Sequence, residues 1–216
     1  MIRKAERADL PECMKVIRNS FQTVADEFGF TEENAPRFTA FATTEERLAW
    51  QMYVEHRLMY LDEEDGRICG YYSLRLNGDG TCDLGSLSVL PEYRHRGIGG
   101  ALLKHVAETA REQNCSVMKL SIVEENAVLR KWYERNGAVH TGTEKFDFFP
   151  FTCGYMEMDL EEAYRIVPEE EIYLRVNLDN PASLHVMLNN GGRIVGQDEG
   201  HYFVRIKNAG RTGKAD

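Results

Sequence analysis

The chain has 216 residues, 43% hydrophobic and 28% charged. That composition excludes a low-complexity or fibrous polymer and leaves room for one generous folded domain, or a domain with an appendage. Its 26 basic residues against 35 acidic ones, a net charge of −9, argue against nucleic acid as a partner; the acidic surface mildly favours a cationic substrate such as an amine, although solubility explains the balance equally well.

No run approaches the ~18 apolar residues of a membrane-spanning helix, and "MIRKAERADL" lacks the apolar stretch of a signal peptide. No membrane partner is expected, and the cytoplasm is the expected compartment. The five cysteines (Cys13, Cys69, Cys82, Cys115, Cys153) form no CxxC pair and stand at no metal-ligand spacing from the histidines. Buried reduced thiols are expected, no metal is expected, and nothing supports a catalytic cysteine.

In chain order, "IRKA" reads as a short strand and "ADLPECMKVIRNSF" as a helix with Asp9 as N-cap and Pro11 in the first turn. Residues 22–42, with Gly29 and Pro36, read as a loop with room for one short helix. "TTEERLAWQMYVEH" is a helix in which Thr43 and Glu46 have capping-box spacing. Asp65-Gly66 and Asn77–Gly80 mark hairpin turns, so residues 58–89 form a three-stranded antiparallel meander.

"GIGGALLKHVAETAREQ" follows as a helix with Ile98, Leu102 and Val106 on one face. Then come the strand "VMKLSIV", the helix "ENAVLRKWYERNG" ending at Gly137, and two strands, "AVHTGTEKF" and "GYMEMDL". The order β-α-α-β-β-β-α-β-α-β-β is mixed α/β (α+β), a meander feeding a β-α-β crossover.

The chemistry gathers at "VLPEYRHRGIGGALL", residues 89–103. A helix N-terminus offers unpaired N–H groups to an anion, and Gly97, Gly99 and Gly100 would let a phosphate approach the backbone. Arg94 and Arg96 add positive charge; a glycine-rich turn with solvated arginines is the bland alternative, and both stand. A dinucleotide fingerprint is excluded, because Leu102 occupies the third glycine position and Val89 lies eight residues before Gly97. A P-loop is excluded by the missing GKS or GKT.

The joint pattern of V-x-P at Val89–Pro91, RxxGxG at Arg94–Gly99, and Asn126 and Tyr133 on the later helix resembles the GNAT superfamily of acyl-CoA-dependent N-acetyltransferases, over roughly residues 1–160. The resemblance implies a central, mostly antiparallel sheet splayed at a β-α-β unit that binds acetyl-CoA. Backbone amides of residues 96–101, including Gly97, Ile98, Gly99, Gly100 and Ala101, would hold the pyrophosphate with Arg94 and Arg96. The strand edge at Leu87 and Val89 would pair with pantetheine. Gly85 is either a bulge that splays the sheet or a tolerated glycine.

Tyr133 matches the family tyrosine that protonates the departing thiolate. On spacing alone, Leu129, Trp132 and Tyr133 form a packing stripe. Asn126 is a helix N-cap on local grounds and a contact to the cofactor arm by resemblance. Asp83 lies near where many relatives place a base, but a strand aspartate can equally be a solvated face residue.

The acceptor, an amine on a small molecule or a protein, would lie between residues 22–44 and 144–156. Phe146, Phe148, Phe149 and Phe151 suggest a pocket wall or the subunit contact of a homodimer. Glu27, Glu32, Glu33 and Asp147 either attract the amine or face water. A cofactor-binding sensor without catalysis is the alternative to an enzyme.

The tail repeats part of this pattern. At a constant offset of 54, "KLSIVEENAVLRKWYERNGA" sets Leu120, Asn126, Asn136 and Gly137 on Leu174, Asn180, Asn190 and Gly191 of "YLRVNLDNPASLHVMLNNGG". The organisation expected is a domain over 1–160, a linker over 161–168, a partial β-α-β-β repeat over 169–208 and a disordered tail over 209–216. Shared secondary structure without ancestry is the competing reading. Met187 stands where Tyr133 stands in the first copy, and a piece of ~40 residues is too small to fold alone.

Overall fold

The computed structural model describes residues 1–160, 171–189 and 192–207. The expected linker, the expected tail, Asn190 and Gly191 lie outside the described residues. The chain divides into two compact units, Met1–Ala163 and Tyr164–Asp216.

In the first unit, β1 (Ile2–Lys4) leads through a 3-10 turn (Arg7–Asp9) into α1 (Leu10–Phe28), and the short α2 (Thr39–Ala42) and α3 (Glu45–Tyr53) follow. The meander is β2 (Leu58–Glu64), β3 (Arg67–Leu76) and β4 (Thr81–Val89). After it come α4 (Ile98–Glu112), β5 (Val117–Val123), α5 (Ala127–Arg135), β6 (Ala138–Lys145) and β7 (Thr152–Asp159). The seven strands form one sheet, β1-β2-β3-β4-β5-β7-β6, in which only β4–β5 is parallel. Asp65 and Gly66 both take positive φ, 51° and 74°, as a two-residue hairpin turn requires.

Three local expectations need correction. Asp9 stands at the N-cap position of α1 as expected but makes no capping bond: its carboxylate accepts from the Glu6 N–H at 2.8 Å and forks onto Arg3 at 2.7 and 2.9 Å, closing the preceding 3-10 turn. Helix α1 runs on through residues 22–28, because nothing breaks it before Gly29, which ends it at φ 70°. The cap of α3 is Thr44, whose Oγ1 accepts from the Arg47 N–H at 3.2 Å. The Thr43 hydroxyl donates instead to the Thr39 carbonyl at 2.7 Å.

Helices cover the sheet on both faces. On one, α1 and α3 bury Leu10, Val16, Ile17 and Leu48 against Met59, Leu61 and Tyr71. On the other, α4 buries Leu102, Val106 and Ala110 against Tyr72, Leu74 and Met118. Adjacent Tyr71 and Tyr72 are both fully buried, one in each layer, as the two-residue period of a strand dictates.

The second unit holds β8 (Glu171–Asn177), α6 (Pro181–Asn189), β9 (Arg193–Gln197) and β10 (His201–Lys207), with strands ordered β8-β10-β9 and both pairings antiparallel. This is the order and polarity of β5-β7-β6. An offset of 54 carries Val117–Val123 onto Glu171–Asn177 and Ala127–Arg135 onto Pro181–Asn189. It also carries one bulge onto another: Thr141 is skipped between His140 and Gly142, and Val195 between Ile194 and Gly196. The caps correspond too. Asn126 Oδ1 accepts from the Leu129 N–H at 2.9 Å, and Asn180 Oδ1 from the Ser183 N–H at 3.0 Å.

Candidate active site

Helix α4 begins on Gly97, whose φ of 85° suits glycine. Its carbonyl accepts the first helical bond, from the Ala101 N–H at 3.0 Å, so the N–H groups of Ile98, Gly99 and Gly100 precede the ladder. A Cβ at Gly97 or Gly100 would meet nothing within 4 Å, and one at Gly99 would sit 3.6 Å from Trp132. The approach to these donors is therefore bare backbone, backed by α5 through Trp132. Arg96 is exposed beside them, its guanidinium 5.1 Å from the Tyr93 ring centre.

Arg94 does a different job from the one its charge suggests. Half-buried, it donates to the Val89 carbonyl at 3.2 Å, to Thr23 Oγ1 at 3.0 Å and to the Ser20 carbonyl at 2.9 Å. Burial lowers its pKa. It straps the loop to α1, and the guanidinium faces protein rather than the helix N-terminus.

The sheet opens beside the loop. Strands β4 and β5 pair only over Thr81–Asp83 and Val117–Lys119; beyond that, β4 runs on to Val89 alone on that side. A bulge adds one residue to β4 opposite Tyr72, with Ser86 at φ 50°. Gly85 is not the strained residue. It is needed for clearance, since a Cβ there would lie 2.7 Å from Ser73 Oγ.

A cavity of about 200 Å³ fills the opening, lined on this side by Leu84, Ser86, Leu87, Ser121, Asn126 and Tyr133. Leu87 thus reaches the cavity. The Val89 carbonyl is already taken by Ser20 Oγ at 3.1 Å and by Arg94.

Tyr133 is 6% exposed and packs edge-on against Trp132, yet it lines the cavity. Its hydroxyl makes no hydrogen bond among the described residues and is not sealed from solvent. Burial pushes its pKa up. Asn126 spends its oxygen on the α5 cap, and its amide NH₂ makes no hydrogen bond among the described residues.

Asp83 does not join them. It is absent from the lining, and its carboxylate is held by Arg75 at 3.0 and 2.5 Å and by Asn77 at 3.3 Å.

The far wall joins the two segments flagged for the acceptor. Phe151 packs 4.9 Å from Phe30 and 5.7 Å from Phe38, and Phe149 stacks on Phe151 at 4.6 Å. Glu27, Glu32, Glu33 and Asp147 are exposed and outside the lining. The sequence reading weighs those acids and misses Phe21, Ser86, Ser121 and Arg37, which do line the cavity; Arg37 in a loop and Ser86 in a bulge carry no periodic signal, and periodicity alone does not tell which face of α1 or β5 meets a cavity.

Cys153 reaches the cavity, but burial raises its thiol pKa, the reverse of an activated nucleophile. Among the described residues no group of three or more His, Cys, Asp or Glu could hold a metal ion. Nor is any described helix long and apolar enough to cross a membrane.

A bare helix N-terminus beside a splayed parallel strand pair is the arrangement the sequence resemblance requires. The model of the acetyltransferase (GNAT) family matches residues 23–138, more than half of the 216 residues. The chain belongs to the GNAT acetyltransferase family.

It is accordingly an acyltransferase. Thialysine N-epsilon-acetyltransferase of Bos taurus is 29% identical to it over 145 residues, 64% of this chain and 83% of that one. The paia N-acetyltransferase of Thermoplasma acidophilum, solved in complex with coenzyme A, superimposes with a TM-score of 0.64 at 21% identity, covering 74% of this chain and 98% of that chain. The yncA protein of Salmonella typhimurium, solved with acetyl-CoA, gives 0.58 at 21% identity, covering 74% and 93%. At these identities the two structures speak for the fold.

Proposed function

We propose that the chain moves the acetyl group of acetyl-CoA to a primary amine of a small molecule or protein, with Tyr133 as general acid. The observation that supports this reading is Tyr133 itself, which lines the cavity where β4 and β5 part and whose hydroxyl makes no hydrogen bond among the described residues. The site fits the cofactor: three N–H groups precede the α4 ladder, and no side chain shields Gly97 or Gly100. The relatives solved with coenzyme A or acetyl-CoA support the same fit. Acetyl-CoA, when bound, supplies an activated acyl carbon and a thiolate leaving group whose conjugate acid has a pKa near ~8.5.

The chain's own groups do the rest. The N–H groups of Ile98, Gly99 and Gly100, with Arg96, hold the pyrophosphate at the positive end of α4. The open edge of β4 around Leu87 aligns the pantetheine arm, and the Asn126 NH₂ is a further donor toward it. The amine nitrogen bonds to the acyl carbon as the carbon–sulfur bond breaks, and Tyr133 gives its proton to sulfur. No carboxylate or imidazole is among the described residues that line the cavity, so the surplus proton on nitrogen leaves to water, water returns a proton to Tyr133, and the acceptor must enter as the neutral amine. Asp83, held by Arg75, takes no part.

Tyr133→Phe tests the assignment. It should lower kcat by roughly 10²–10⁴ while calorimetric acetyl-CoA affinity stays within about twofold. A wild-type rate would return Tyr133 to packing alone. The missing base favours a second reading, a homologue that binds the cofactor without turnover. Acetyl-CoA binding with no thiol release across a panel of amines would select that reading.

A further inference from the structure

The acceptor side of the cavity has an unusual balance for an amine-binding site. Its wall is aromatic, with Phe21, Phe38, Phe149 and Phe151, and among the described lining residues Arg37, itself exposed, is the charged one. The Arg37 guanidinium lies 4.7 Å from the Phe148 ring centre. No carboxylate stands within 4.0 Å of it among the described residues. Stacking occupies the face of a guanidinium and leaves its fork of N–H donors free, the geometry that takes a carboxylate through two parallel bonds.

A polyamine or a lysine-rich peptide would bring further positive charge to this wall and find no anion there. An apolar amine without an acid group would leave Arg37 unpaired.

We propose that the acceptor is a small amine carrying both an apolar, ring-sized body and a carboxylate, as an aromatic amino acid does. Its body lies among Phe21, Phe38, Phe149 and Phe151, and its carboxylate lies on Arg37. The assignment rests on the reading of the cavity as the acetyl-transfer site, and it makes Arg37 the residue that sets acceptor choice.

The test uses the full chain saturated with coenzyme A, which cannot react, titrated calorimetrically with L-phenylalanine and then with 2-phenylethylamine. The two probes differ only by the carboxylate. L-phenylalanine should bind about 10- to 100-fold more tightly, the range of a charge-assisted pair, and Arg37→Gln should remove that preference. Equal or tighter binding of 2-phenylethylamine, binding of neither probe, or a preference that survives Arg37→Gln would each overturn the proposal. The preceding coenzyme A titration is read separately. Its failure would bring down the acetyl-transfer reading itself, whereas failure of the amine titrations alone would leave that reading standing.

Discussion

Tyr133 serves the core and the cavity with one side chain: its ring packs on Trp132 while its hydroxyl stays unbonded among the described residues. The raised pKa comes from burial and has a definite sign. The phenol keeps its proton beyond the ordinary ~10 of tyrosine, so below that pH it imposes no alkaline loss of activity. The free fraction of an acceptor amine, by contrast, rises about tenfold per pH unit below its own pKa. With an amine of pKa ~10.4, kcat/KM should climb roughly tenfold per unit between pH 7 and 9. With such an amine, a plateau or a bell in that window would reveal a titrating base absent from the described lining residues, whereas an α-amine, which titrates lower, levels off earlier by itself.

At the scale of elements, the meander was readable from its turns at Asp65-Gly66 and Asn77–Gly80, and α4 and α5 from their helical spacing. The extra turns of α1 were not, since residues 22–28 alternate without a clean apolar stripe and only Gly29 acts as a stop. Neighbouring threonines hid which one caps α3. Asp83 was weighed as a base by resemblance, with a solvated face residue as the alternative; its neighbour Leu84 takes the cavity face of β4, and Asp83 pairs with Arg75 instead.

Charge alone could not separate Arg94 from Arg96 either, since what distinguishes them is burial. Arg94→Ala would remove hydrogen bonds from a half-buried cation to Val89, Ser20 and Thr23. Such bonds are worth ~1.5–3 kcal/mol, so we expect a loss of about that order in urea unfolding and a weaker acetyl-CoA titration. Arg96→Ala should weaken the titration and leave stability within ~0.5 kcal/mol. Equal stability loss in both variants would contradict the division of labour.

For the whole molecule, we read the second unit as an incomplete copy of the first unit's β5–α5–β6–β7 segment. A helix span, an asparagine cap and a bulged residue all agree at one offset. Shared architecture alone would not align a bulge to the residue. The copy has no glycine loop ahead of it, and Met187 replaces the tyrosine, so the chemistry belongs to Met1–Ala163.

The copied segment over 169–208 is a piece of ~40 residues, small for a free-standing fold. Expressed alone, residues 164–216 should show a disordered far-UV circular dichroism spectrum. Residues 1–163 should keep acetyl-CoA affinity within a few-fold of the full chain. A folded 164–216 fragment, or a 1–163 fragment blind to acetyl-CoA, would refute this partition.

The parting of β4 from β5 after three residue pairs leaves a sheet unfinished at its centre, with backbone groups that hydrogen-bond elsewhere or to solvent. In the proposed mode of binding the pantetheine arm is the missing strand, so the cofactor is also a structural part that arrives and leaves with each turnover. Thermal resistance then becomes a gauge of occupancy, rising by ~1.4 kcal/mol for every tenfold of free cofactor above its dissociation constant. A cell rich in acetyl-CoA would hold a sturdier protein than a starved one, and proteolytic turnover of the chain would follow the metabolic state without any dedicated regulator.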